Sequence, residues 1–211
     1  MQVTHVVGHV PSDHWRTASG KTIKKRISSS ALRKLVMSAA AIALVSASPA
    51  AADPTSAMRH CTSHASPQVS ASVNLAGSST GVSIPTTTNP DNILEVGDVF
   101  SVVASGQVTT AWWPLNGGPW WPEGNGRIAP AHFPFPGNIE FSDILRFNNN
   151  PAGWVGSPQQ ATQWGGCEQW GARPWQNRPV RLLFYVNDDY LGDNDGSWRN
   201  TVMIWKASAP A

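Results

Sequence analysis

The chain has 211 residues, and its 15 lysines and arginines against 13 aspartates and glutamates give a formal charge of +2. That basic balance is no argument for a nucleic-acid partner. Seven of the bases lie in the first 52 positions, and residues 53–211 keep eight against twelve acids, a charge of −4. Seventeen prolines argue against a helical fold, and two cysteines without a close Cys or His pair argue against a cysteine-held metal.

The first 52 residues read as an export signal. Lys21, Lys24, Lys25, Arg26, Arg33 and Lys34 form a basic run, Leu35 to Ala47 is uncharged and mostly apolar, and Ala50-Ala51-Ala52 precedes Asp53-Pro54. This order predicts a cleavable secretory signal peptide, preceded by an extension over residues 1–20 and cut after Ala52. The alternative is a membrane anchor, but the apolar core falls short of the roughly 20 residues a span requires. The expectation is a secreted protein, free or associated with the cell wall, that does not cross the membrane.

Residues 53–70, rich in Ser, Ala, Pro and His, predict a flexible arm, and residues 71–211 a single folded domain. Cys61 and Cys167 emerge into an oxidising compartment, which predicts a disulfide tying the arm to the domain. Closing so long a loop stabilises by on the order of 4 kcal/mol. Two independent buried thiols are the alternative.

Further along, short apolar runs alternate with Gly, Pro and Asn. Strands are predicted at Val69 to Leu75 and in the run holding Val99, Val102 and Val103, after the turn Glu95-Val-Gly-Asp98. Ile139, Phe141, Ile144, Leu145 and Phe147 fit another strand or one helical turn. Residues 181–187 and 198–205 look like a closing hairpin. No stretch keeps helical periodicity over eleven residues, so the prediction is an all-β, jelly-roll-like β-sandwich.

Ten tryptophans fall within residues 112–205, with an internal echo at Trp112-Trp113-Pro114 and Trp120-Trp121-Pro122. Flat indole faces beside polar side chains suit sugar rings, whose C–H faces are apolar. Trp112, Trp113, Trp120 and Trp121 are therefore candidate sugar contacts, and His132 a further one. The alternative for most of these rings is a loop-rich minor core, and for His132 a packed loop position. Signals for catalysis are thin. Gly77-Ser-Ser-Thr-Gly81 matches a hydrolase nucleophile pattern, but Ile84-Pro85-Thr-Thr-Thr follows it as extended chain instead of a helix. Glu123, Glu140 and Asp143 show no spacing that marks a glycosidase pair.

The most informative stretch is Tyr185 to Trp198. Asn187, Asp188, Asp189, Asp193, Asn194 and Asp195 place six oxygen-bearing side chains within nine positions. Four negative charges so close repel one another unless solvent or a cation separates them, and hard oxygens beside glycines are what Ca2+ requires. A solvated turn at Asp195-Gly196 is the simpler alternative.

Arg181-Leu-Leu-Phe-Tyr-Val-Asn-Asp-Asp-Tyr-Leu-Gly-Asp-Asn-Asp-Gly-Ser-Trp198 resembles the signature of the PA-IL-like galactose-binding lectin family, in which a strand ending in Asn-Asp precedes a Gly-Asn-Asn-Ser-Gly-Ser-Phe loop. Val96-Gly-Asp-Val-Phe-Ser-Val-Val-Ala-Ser-Gly106 is similar to that family's Gly-Asp strand. The resemblance covers residues 95–206 in outline and about thirty in detail. It implies a small jelly-roll sandwich binding a calcium ion that ligates two sugar hydroxyls. It also implies Asp188, or Asp189 given the shorter loop here, with Asp193 and Asn194 as side-chain ligands. The carbonyls of Tyr190 and a residue near Thr110 would complete the shell. The implied function is calcium-dependent carbohydrate binding, of galactose type, without catalysis. A secreted structural module with a calcium-pinned hairpin is one alternative, and a secreted hydrolase another.

Overall fold

The computed structural model describes residues 53–86, 91–110, 117–149 and 153–209. The signal-peptide expectation, Trp112 and Trp113 lie outside these residues. Two four-stranded antiparallel sheets account for the fold. The first pairs β1 (Val69–Ala76), β8 (Asn194–Trp205), β3 (Val99–Thr110) and β6 (Glu168–Gln169), in that order. The second pairs β2 (Val82–Ser83), β7 (Arg181–Val186), β4 (Asp143–Asn148) and β5 (Trp154–Gln160).

Strand periodicity makes the core. Leu182, Phe184 and Val186 alternate inward on β7, facing Trp198, Val202 and Ile204 of β8 and Phe100 and Val102 of β3, all buried in one cluster. Trp164 and Trp170 join it from the 161–180 region, in stacked, edge-to-face or tilted contact with Phe100 and Phe147. Burial of this kind contributes about 2–3 kcal/mol per large side chain. The all-β sandwich is therefore present, and these two indoles serve its core.

The closing hairpin is not. β7 and β8 lie in different sheets, and the 187–193 connection crosses the sandwich between them. Each strand has a buried face of its own, so the two meet across the core instead of pairing edge to edge. Nor is Asp195-Gly196 a turn: both residues lie within β8, opposite Thr109 and Val108 of β3. Gly196 sits at φ +80°, where a Cβ would come within 2.5 Å of the Gln107 carbonyl oxygen, so close strand approach explains that glycine.

Residues 53–70 are also more ordered than a flexible arm. They carry helix α1 (Pro54–Thr62), whose Asp53 N-cap accepts the Thr55 N–H and whose first residue is proline. α1 buries Ala57 and Cys61 against Val99 and Trp205. Cys61 is bonded to Cys167 across 106 residues, with Cα atoms 5.9 Å apart, so the expected disulfide is present. Among the described residues no helix is long and apolar enough to cross a membrane.

Candidate functional site

The 187–193 connection is shaped by its own side chains. Asn187 is fully buried: its Oδ1 accepts the Phe135 N–H at 3.0 Å, and its Nδ2 donates to the carbonyls of Phe135 and Ile139. Its backbone pairs with Ser142 and Phe141 as well. This asparagine is thus spent on clamping the 133–142 loop against the connection. Next to it Asp188 turns the chain, its Oδ1 accepting the Tyr190 N–H at 3.1 Å. A 3₁₀ turn over Leu191–Asp193 then delivers Asn194 to the start of β8, where it is the register partner of Thr110 at the end of β3.

These elements enclose a cavity of about 310 Å³ lined by Thr110, Phe141, Asp188, Asp189, Tyr190 and Asp193. Five of the six residues singled out as metal ligands in the sequence line it. The sixth, Asn194, donates its Nδ2 to the Gly77 carbonyl at 3.0 Å and leaves its Oδ1 buried without a partner. Asp188 leaves its Oδ2 in the same condition and is only 4% exposed. A buried acceptor left unmade costs about 1–3 kcal/mol, more when charged. Asp143 Oδ1 and Asn200 Oδ1 form a second such pair between the sheets, but only the Asp188 pair adjoins the cavity. Burial raises the Asp188 carboxyl above its ordinary range; the Tyr190 N–H and then the Asn194 side chain offset part of this, while Asp189 and Asp193 push it further up.

Asp188 and Asp189 differ in environment. Asp189 points to solvent and pairs with His132, Nε2 to Oδ2 at 3.2 Å. His132 therefore reaches the cavity rim through its contact with Asp189. Among the described residues no three His, Cys, Asp or Glu side chains cluster closely enough to hold a metal by themselves. A calcium shell here would draw on amide and carbonyl oxygens too, and the donor set of Asp188, Asp193, Asn194 and backbone carbonyls suits a hard cation on chemical grounds.

The cavity's apolar wall is Phe141, which sequence reading left among strand candidates. It adopts φ +56°, a left-handed conformation that costs a bulky residue on the order of 1–3 kcal/mol. Its ring stacks on Trp120, 5.8 Å between centroids and 8° from parallel, and meets Phe133 edge-on. Trp120 is fixed in turn by its Nε1–H, which donates to Thr110 Oγ1 at 2.9 Å. Of the candidate indoles, Trp120 therefore backs the wall, while Trp121 is exposed and is not one of the lining residues. No sequence signal marked Phe141, because its role depends on a loop fold that Asn187 imposes from 46 positions away.

The residues weighed for catalysis are occupied otherwise. Ser79 Oγ bonds within its own turn to Gly81, and β2 follows where a nucleophile elbow needs a helix. Glu140 accepts from Asn125 Nδ2 at 2.7 Å. Asp143 lies fully buried between the sheets, where Asn200 Nδ2 donates to it at 2.7 Å.

No family model and no curated protein matches this chain. A solved structure described as "EclA N-terminal domain; PllA-like lectin" aligns with a TM-score of 0.35 at 17% identity, over 64% of this chain and 95% of that one. At that score the likeness carries no argument about ligand or mechanism.

Proposed function

We propose that this chain is a secreted, calcium-dependent carbohydrate-binding protein, lectin-like and without catalysis. The observation that supports the reading most is the pair of buried, unpartnered oxygens: Asp188 Oδ2, whose residue lines the cavity with Thr110, Tyr190 and Asp193, and Asn194 Oδ1, whose residue is the strand partner of Thr110. When bound, calcium supplies an electrophilic centre that orients two vicinal hydroxyls of a sugar, with a galactose-type ring as the first candidate. Asp188, Asp193 and Asn194 would hold the ion with the Tyr190 and Thr110 carbonyls. Phe141 would take the apolar C–H face of the ring, and Asp189 would accept a hydroxyl at the rim.

The test is a calorimetric titration of calcium into chelator-stripped protein, followed by sugars with indole fluorescence as readout. One calcium site per chain and a sugar response seen only with calcium are expected. No binding below about 1 mM calcium, the weak end of known oxygen-ligand sites, would overturn the reading. A second reading is favoured by the chain's crossing between sheets at this point: calcium merely pins the connection. It predicts a calcium-dependent melting temperature and no sugar response.

A further inference from the structure

The outer face of the second sheet carries a cation–aromatic cluster that the calcium-centred reading does not use. Because Leu182, Phe184, Leu145 and Phe147 point inward, Arg181, Leu183 and Tyr185 of β7 and Arg146 and Asn148 of β4 occupy the opposite face. Register sets Asn148 between Arg181 and Trp154. The Arg146 guanidinium lies 3.8 Å from the centroid of Trp154 and 5.8 Å from that of Phe135. Tyr185 closes the group, its ring 6.0 Å from Trp154 and 5.5 Å from Phe135.

The charge on this face is unbalanced. The four strands contain one acidic residue, Asp143, and it is buried between the sheets. The ion pairs among the described residues are His132–Asp189 and those of Lys206 with Glu95 and Asp98; none involves Arg146 or Arg181. Arg146 also makes no hydrogen bond to a described residue. Burial lowers its pKa and the neighbouring Tyr185 offsets part of this, so the cation is partly stripped of water with no carboxylate of a described residue paired to it. In a domain of net charge −4, an uncompensated cation fixed among three rings is a local exception.

A guanidinium held over an indole keeps a planar fork of donors that matches a carboxylate bidentately. Trp154, exposed at 46%, and Tyr185 offer apolar ring faces beside that fork. A groove of about 410 Å³ lined by Ser83, Thr86, Asn148, Arg181 and Leu183 continues the same face and brings a second guanidinium. We infer that this face is a second, calcium-independent binding site for acidic saccharides of the uronic-acid type, with Arg146 reading the carboxylate and Trp154 the sugar face. A neutral sugar leaves the fork unpaired. An acidic peptide lacks the flat C–H face that the rings accommodate.

The experiment uses the full chain in chelator, titrated with oligogalacturonate and with its methyl-esterified counterpart, read by tryptophan fluorescence and calorimetry. Saturable binding is expected to the free acid and to weaken about ten-fold or more on esterification, the loss of one charge-assisted contact. Arg146→Lys keeps the charge but loses the fork, and a similar ten-fold loss is expected with an unchanged melting temperature. Trp154→Ala provides an independent check on the surface, while Asp188→Ala leaves this binding intact. Equal binding of acid and ester, insensitivity to Arg146→Lys, a sulfated neutral sugar binding as well as the uronate, or no binding to either probe would each overturn the assignment.

Discussion

Two buried aspartates of this protein sit in opposite conditions. Asp98, 1% exposed, is satisfied on both oxygens: it accepts the Glu95 and Ala207 N–H groups at 2.9 Å each and the Lys206 ammonium at 2.8 Å. Lys206 in turn donates to the Ile93 carbonyl and faces Glu95 at 3.6 Å. Asp188, 4% exposed, accepts one N–H and has an idle oxygen, beside two further carboxylates and an equally idle Asn194 oxygen. The first group is a closed network, so it holds the C-terminal segment in place and has no capacity left. The second is open: Asp189 and Asp193 reach solvent, and the buried Asp188 oxygen has room for a proton or a cation.

Breaking the closed network should have the largest effect. Lys206→Met strands the Asp98 charge, and denaturant unfolding is expected to show a loss of about 3–5 kcal/mol, the same with calcium or with chelator. A loss that calcium reverses would erase the distinction between the two sites. At the open site the effect depends on the ion. Calcium at about 1,000 times its Kd should stabilise the wild type by about 4 kcal/mol, and should do nothing for Asp188→Asn, which in chelator is at least as stable as the parent. A calcium-induced rise in Tm for that variant would contradict this.

A third carboxyl sharpens the contrast through pH. Burial raises Asp143 from its ordinary 3.8 to about 7, the Asn200 hydrogen bond offsetting only part of it. Below about 4 both folded and unfolded chains hold this proton; between there and about 7 only the folded chain does. Its contribution to stability therefore falls as pH rises across that window and levels off above it. Unfolding measured in chelator on the Asp188→Asn background should show this slope, and adding Asp143→Asn should flatten it. The smallest effect is expected for Asn194→Ala in chelator, about 1 kcal/mol from the lost bond to the Gly77 carbonyl. The same change should abolish the calcium response, and a variant that still bound calcium would remove Asn194 from the site.

Much of the cavity was legible in the chain because its donors are local. Asp188, Asp189, Tyr190, Asp193 and Asn194 lie within seven consecutive positions, and a short acidic run with a glycine restricts what it can fold around. Helix α1 was legible in principle from the Asp53 cap and Pro54, but a nine-residue helix among Ser and Ala lacks the periodicity that identifies longer ones. The mistaken hairpin has a different origin. Two apolar runs separated by a polar loop satisfy edge-to-edge pairing and face-to-face packing equally, and only the other strands decide which occurs. Phe141 was beyond reach because its strained backbone and its Trp120 and Phe133 neighbours are consequences of packing.

Composition and alternation alone determined the strand-rich class, the two-cysteine link and the concentration of oxygen donors near residue 190, since each depends on neighbours along the chain. The crossing of β7 to β8, the difference between Asp188 and Asp189, the aromatic wall and the Arg146 cluster were decided only in three dimensions. Those features depend on which oxygens and rings remain unsatisfied after 143–186 has packed against 194–205, and desolvation is set by the completed core.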